Sequence, residues 1–142
     1  MKSLILVTII LLLGFGGFCS QHPIGTSSDS TDSIFKSYEF PSHPNLTHLC
    51  QKRVSGSGRE ITWDAFASAA APPELLDYYH QKMGDDGFTK EGEGGTWRLP
   101  ASAPRPSRVL DIMAVGTASP SRDCEKAPPS GSRAIIMISR MK

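Results

Sequence analysis

The apolar positions of this chain fall in three stretches of different rhythm. Residues 4–13 form an almost unbroken apolar run, interrupted only by Thr8. Residues 20–43 are mostly Ser, Thr, Asp and Pro. From about residue 44 onward, short apolar alternations are cut by Gly and Pro, which is the spacing of strands and turns. Residues 46–54 read as a first strand carrying Cys50, and residues 55–58 (Ser-Gly-Ser-Gly) as the turn after it. In 60–68, Ile61, Trp63, Ala65 and Ala67 alternate with Thr62, Asp64 and Ser68, the period of a half-buried strand, while Phe66 interrupts the pattern on the other face.

One window departs from the strand period. Over 72–83, Leu75, Leu76, Tyr79 and Met83 fall on one helical stripe. Prolines at its start are tolerated because first-turn amides have no intrahelical partner, and Gly84 is placed to stop the helix. Residues 88–91 and 96–99 then read as a hairpin joined by Gly92-Glu93-Gly94-Gly95. Residues 108–115 are a further strand, with Val109, Asp111, Met113 and Val115 on one face, and residues 116–131 a long loop holding Cys124. Residues 132–139 close the domain as an apolar strand expected to be central. The fold class that follows is α+β: one main helix packed on a largely antiparallel sheet of about five strands. A domain of about 100 residues buries somewhat over 60% of its unfolded surface, enough for one core.

The two N-terminal stretches are assigned differently. The apolar run of 4–13 follows Lys2 and precedes Gly14, Gly16, Gly17 and Ser20, and it is shorter than the roughly 20 residues of a membrane span. Residues 1–19 are therefore expected to be a signal peptide, 20–43 a flexible polar linker, and 44–142 a single folded domain in a secreted or cell-envelope protein. Phe35, Tyr38 and Phe40 interrupt the linker, either as a short docked segment or as apolar residues within the tether.

Cysteine use agrees with export. Cys50 and Cys124 are left as a pair once the leader is removed, the arithmetic of one disulfide in an oxidising compartment. Cys19 stands at the leader's end. Cleavage after it discards it; cleavage before it would make it the lipid-carrying N-terminus of a membrane-anchored accessory lipoprotein. Gly16 and Phe18 occupy the places where a lipoprotein signal has an aliphatic and a small residue, so simple cleavage is the first reading.

Charge narrows the partners. Removing Lys2 from fifteen basic residues leaves fourteen, against fourteen acidic ones, with no dense Lys/Arg block along the sequence. The expectation is no nucleic-acid partner, and a membrane partner only if Cys19 is lipidated, leaving a protein or envelope component.

Helix residues 75–79 (Leu-Leu-Asp-Tyr-Tyr), residues 83–88 (Met-Gly-Asp-Asp-Gly-Phe) and the hairpin with Trp97 resemble small exported bacterial α+β domains. These have a Phe/Tyr-Tyr helix followed by a Gly-Trp or Gly-Phe turn. The likeness spans about residues 61–99, and its motif concerns packing. It implies a fold and an export route but no activity.

Candidate chemistry is sparse. His43, His48 and Cys50 are spaced H-x4-H-x-C, but a structural zinc site shows two close ligand pairs, and Cys50 is better used in a disulfide. Asp77 and His80 are three apart on the helix, within surface reach. No Gly-x-Ser-x-Gly elbow anchors a hydrolase triad, and the Gly-rich segments 56–58 and 92–95 lie between strands rather than opening a helix. Asn45-Leu46-Thr47 is a formal glycosylation sequon, relevant only in a eukaryotic secretory pathway. Tyr78 falls off the helix stripe and Trp97 lies in a short hairpin, making them the candidate contact surface. The resulting expectation is a non-catalytic binding or structural domain without cofactor or metal. The alternative of a small exported enzyme would draw on His48, His80, Asp64 and Asp77.

Overall fold

The computed structural model describes residues 28–117 and 123–142. The segment expected to be a signal peptide, residues 1–19, and with it Cys19, lies outside the described residues. Six strands form one antiparallel sheet: β1 (Thr47–Gly56), β2 (Arg59–Ser68), β3 (Phe88–Glu91), β4 (Gly94–Leu99), β5 (Ser107–Ala114) and β6 (Ala134–Met141). Their spatial order is β1-β2-β6-β5-β4-β3. Helix α1 (Ser28–Ser37) precedes the sheet and α2 (Pro72–Met83) connects β2 to β3. The last strand fills the gap between the β1–β2 hairpin and the β3–β4–β5 meander, so the Ile135–Ile138 run is central as its apolarity predicts. The architecture is thus mixed helix and sheet, mostly sheet, with a second helix beyond the one the sequence signals.

Both helices lie on one face of the sheet, here the inner face. Phe35, Tyr38, Phe66, Leu75, Tyr79, Trp97, Leu110, Ile136 and Ile138 make its core. Ring contacts tie α1 to β2 (Phe35 to Phe66, 4.7 Å between centroids) and α2 to β4 (Tyr79 to Trp97, 6.0 Å). On the opposite, outer face a smaller cluster of Leu49, Ala65, Ala67 and Ile135 packs with Trp63, Met113 and Cys124. The disulfide Cys50–Cys124, Cα to Cα 5.5 Å, brings the β5–β6 connection to that cluster. β2 is therefore buried on both sides at its C-terminal end. This explains why Thr62, Asp64 and Ser68, read as its solvent side, are buried inward with Phe66.

The segment 28–40 is the main correction to the expected domain limits. Instead of a tether it is a helix whose Thr31, Ile34, Phe35 and Tyr38 repeat at helical spacing and face the sheet. Its end is a Schellman turn: Phe40 N–H bonds the Phe35 carbonyl and Glu39 N–H that of Lys36, with Glu39 at φ 59°. Phe35 and Phe40 are both buried, the apolar contact that accompanies this motif. Few apolar residues are enough here because nearly every one is used.

Tight glycines shape the β3–β4 hairpin. A Cβ on Gly94 would lie 1.8 Å from the Ile112 carbonyl oxygen, and one on Gly95 would lie 2.4 Å from the Phe88 ring. These positions let β4 approach β5 and let Phe88 fold over its own hairpin.

Candidate functional site

A β-bulge near the start of β1 organises the most polar spot in the core. The register steps between His48, opposite Phe66, and Cys50, opposite Ala65. In a regular strand positions 48 and 51 would point to opposite faces. With the extra residue, His48 and Gln51 both project inward while Leu49 and Cys50 project outward. One irregularity thus serves both the buried polar cluster and the disulfide.

At the centre of that cluster Asp64 has 0% exposure. His48 Nε2 lies 2.8 Å from its Oδ1, while Tyr38 Oη donates to Oδ2 at 2.7 Å and Gln51 Nε2 at 3.0 Å. Burial alone would raise the Asp64 carboxyl. The hydrogen bonds from His48, Gln51 and Tyr38 outweigh that and hold it below the ordinary carboxylate range. The Tyr38 hydroxyl is pushed well above its ordinary value, by burial first and then by its bond to Asp64. Arg140 lies over the Tyr38 ring at 5.1 Å and reaches the Ser37 carbonyl at 3.4 Å, a cation at a helix C-terminus. Its cross-strand neighbour Arg108 donates to Glu39, and Arg105 forms an ion pair with the same carboxylate at 3.4 Å. Asp64, Arg108 and Arg140 together hold the end of α1 to the sheet.

The other residues singled out by sequence separate. His80 pairs with Asp85 at 2.6 Å, not with Asp77, and its ring packs against Phe88 and Trp97. Trp97 is fully buried and its indole N–H donates to the Gly84 carbonyl at the end of α2. It is therefore core, a correction to its expected place on a contact surface. Hairpin membership did not expose it because α2 covers that side of β4. Tyr78 is half-buried, with its hydroxyl donating to the Ser42 carbonyl at 2.5 Å. Among the described residues no group of three or more His, Cys, Asp and Glu side chains is arranged to hold a metal ion.

A surface groove of about 590 Å³ lies beside Tyr78, lined by Thr31, Asp32, Ser42, His43, Asn45 and Thr47 among others. Ser42 Oγ donates to Asp32, and His43 Nδ1 meets the Pro44 carbonyl at 2.8 Å, so its polar groups are engaged with one another.

Of the four exposed large hydrophobic side chains among the described residues, three stand together elsewhere. Residues opposite one another on antiparallel strands share a face, and Val54, Ile61 and Met141 are successive partners across β1, β2 and β6. They are 60%, 41% and 40% exposed. The next row on the same outer face places half-buried Trp63 and Val109 beside them. Among its described residues, the disulfide-held connection packs at the other end of this face, where Cys124 meets the cluster of Leu49, Ala65, Ala67 and Ile135. Sequence reasoning missed this patch because alternation in β2 marked Ile61 and Trp63 as core.

Comparison with family models, curated proteins and solved structures finds no match to this chain.

Proposed function

We propose that this chain is an exported, non-catalytic domain that docks onto an envelope component through the open half of its outer sheet face. The observation that carries the reading is the contiguous row Val54–Ile61–Met141, exposed on three adjacent strands of the outer sheet face. Large aliphatic side chains standing together on a rigid sheet mark an interaction site. The buried polar cluster supports it from the other side: Asp64 is enclosed by donors that join α1 to the sheet, which gives its carboxylate a structural use. Export rests on the N-terminal apolar run and on the Cys50–Cys124 pairing.

The test is cell fractionation of the Cys19→Ala chain, in which no acyl anchor contributes. Ile61→Glu is expected to move it from the envelope to the soluble fraction, whereas Lys90→Glu, on the edge strand β3, is expected to leave it in place. Identical fractionation of both variants would remove the docking reading. Comparing Cys19 with Cys19→Ala in the unsubstituted chain separates the alternative, a lipid-anchored accessory protein, by release from membranes.

A further inference from the structure

The open half-face carries a charge pattern that the neutral composition hides. Lys52 and Arg98 stand at the two ends of one cross-strand row, Lys52–Trp63–Ser139–Val109–Arg98. Arg59 is on the same face, beyond Ile61 at the hairpin end. The acidic residues of that face, Asp111 and Glu91, belong to rows nearer the disulfide-held connection. On the inner side the neighbouring row sets Arg53, Arg140 and Arg108 across β1, β2, β6 and β5, and Lys142 follows Met141. Of the acids near this end, Glu60 pairs with Arg53, Glu39 with Arg105 and Arg108, and Asp85 with His80, while exposed Asp86 precedes Gly87, the backbone neighbour of Arg98. With the inner-face arginines turned to α1 and to these acids, the outer face is an apolar plate with Lys52, Arg59 and Arg98 at its edges.

Each half of that description excludes a partner. Cations alone would suit a nucleic-acid backbone, but Val54, Ile61 and Met141 would then lie against hydrated phosphates. An apolar plate alone would suit a second copy, but stacking this face on itself brings two sets of Lys52, Arg59 and Arg98 together, a like-charge cost. A lipid–water interface with anionic headgroups accommodates both. Aliphatic side chains and Trp enter the headgroup boundary while long cationic side chains reach out to phosphate. We propose that the Val54–Ile61–Met141 plate seats on an anionic lipid surface, with Lys52, Arg59 and Arg98 on the headgroups. This inference rests on the docking-face reading and names its partner.

The experiment is vesicle co-sedimentation of the Cys19→Ala chain recovered from its host, with its disulfide intact. Vesicles are phosphatidylcholine alone or with phosphatidylglycerol added. Binding is expected on the anionic vesicles, with a blue shift of Trp63 emission that Trp63→Phe removes; buried Trp97 should not respond. Ile61→Glu and Val54→Glu are each expected to weaken partitioning at least about tenfold. Lys52→Ala and Arg59→Ala should each weaken it about fivefold, and added salt should weaken it further. Near-UV circular dichroism confirms that each variant is folded. Absence of binding, equal binding to both vesicle types, or indifference to both Glu variants would overturn the proposal. Self-association abolished by Ile61→Glu, without vesicle binding, would overturn it in favour of a second copy. In the last case, or if fractionation in cells still depends on Ile61, the docking face survives and only the lipid assignment falls.

Discussion

Asp64 shows how one side chain sets a stability limit. Its carboxylate is fully enclosed and held by three side-chain donors or partners, His48, Gln51 and Tyr38, so its carboxyl is held below the ordinary range. A group whose folded value is depressed stabilises the fold above its unfolded value, about 3.9 for Asp, and that contribution fades as pH falls through the folded value. Urea unfolding should therefore show stability falling below about pH 4, and Asp64→Asn should flatten that limb. At neutral pH Asp64→Asn should cost about 1–3 kcal/mol, because the amide cannot accept from every donor now aimed at it. The alkaline limb has the opposite sign. Tyr38 and Tyr79 are both raised by burial, so their contribution is present below the unfolded value of about 10 and is lost as pH rises beyond it. His48 and Asp64 were separate candidates in the sequence; the bulge at Leu49 makes them neighbours, and no spacing rule signals a bulge.

At the scale of elements, α1 is the informative case. Its composition is that of a tether, and only the spacing Thr31, Ile34, Phe35, Tyr38 marks a helical face. That signal is weak because half a stripe in a polar segment also arises by chance, and its value depends on a sheet able to receive it. The sheet supplies Phe66 for Phe35, Asp64 for Tyr38 and Arg108 for Glu39. Phe35→Ala is expected to lower unfolding free energy by about 3–5 kcal/mol, the usual cost of emptying a buried aromatic site. A change below about 0.5 kcal/mol, typical of surface positions, would return residues 28–40 to the status of a linker. By contrast α2 was legible in full, with Leu75, Leu76 and Tyr79 buried as their stripe requires. The strands were legible as segments, but their core faces were not. Val109 and Met113 alternate as cleanly as Leu110 and Ile112, and only the second pair meets the helices.

For the whole molecule the disulfide matters most. Cys50 and Cys124 are separated by 74 positions, and closing a loop of that length stabilises the fold by about 4.5 kcal/mol on the chain-entropy model. The double variant Cys50→Ser/Cys124→Ser should lose a comparable amount in denaturant unfolding. It should also free the β5–β6 connection, so that amides around Ala65, Ala67 and Ile135 exchange faster while those of the inner core keep their order. Uniform acceleration across both faces would mean that the bridge supports the entire fold rather than the outer layer.

The sequence by itself determined which segments become helix or strand over residues 44–142, that β6 belongs in the middle, and that Cys50 and Cys124 make a pair. Those features follow from local periodicity and from counting, and they need no knowledge of neighbours. Tertiary structure decided the rest. Whether Trp97 is exposed depends on α2 lying over β4, and whether Ile61 is buried depends on what packs against the outer face at that end of the sheet. The cationic edge is of the same kind: Lys52, Arg59 and Arg98 are scattered through a neutral chain and share a face only when strand register aligns them. Burial and charge clustering are properties of contacts between distant segments, and a linear pattern records only one partner of each contact.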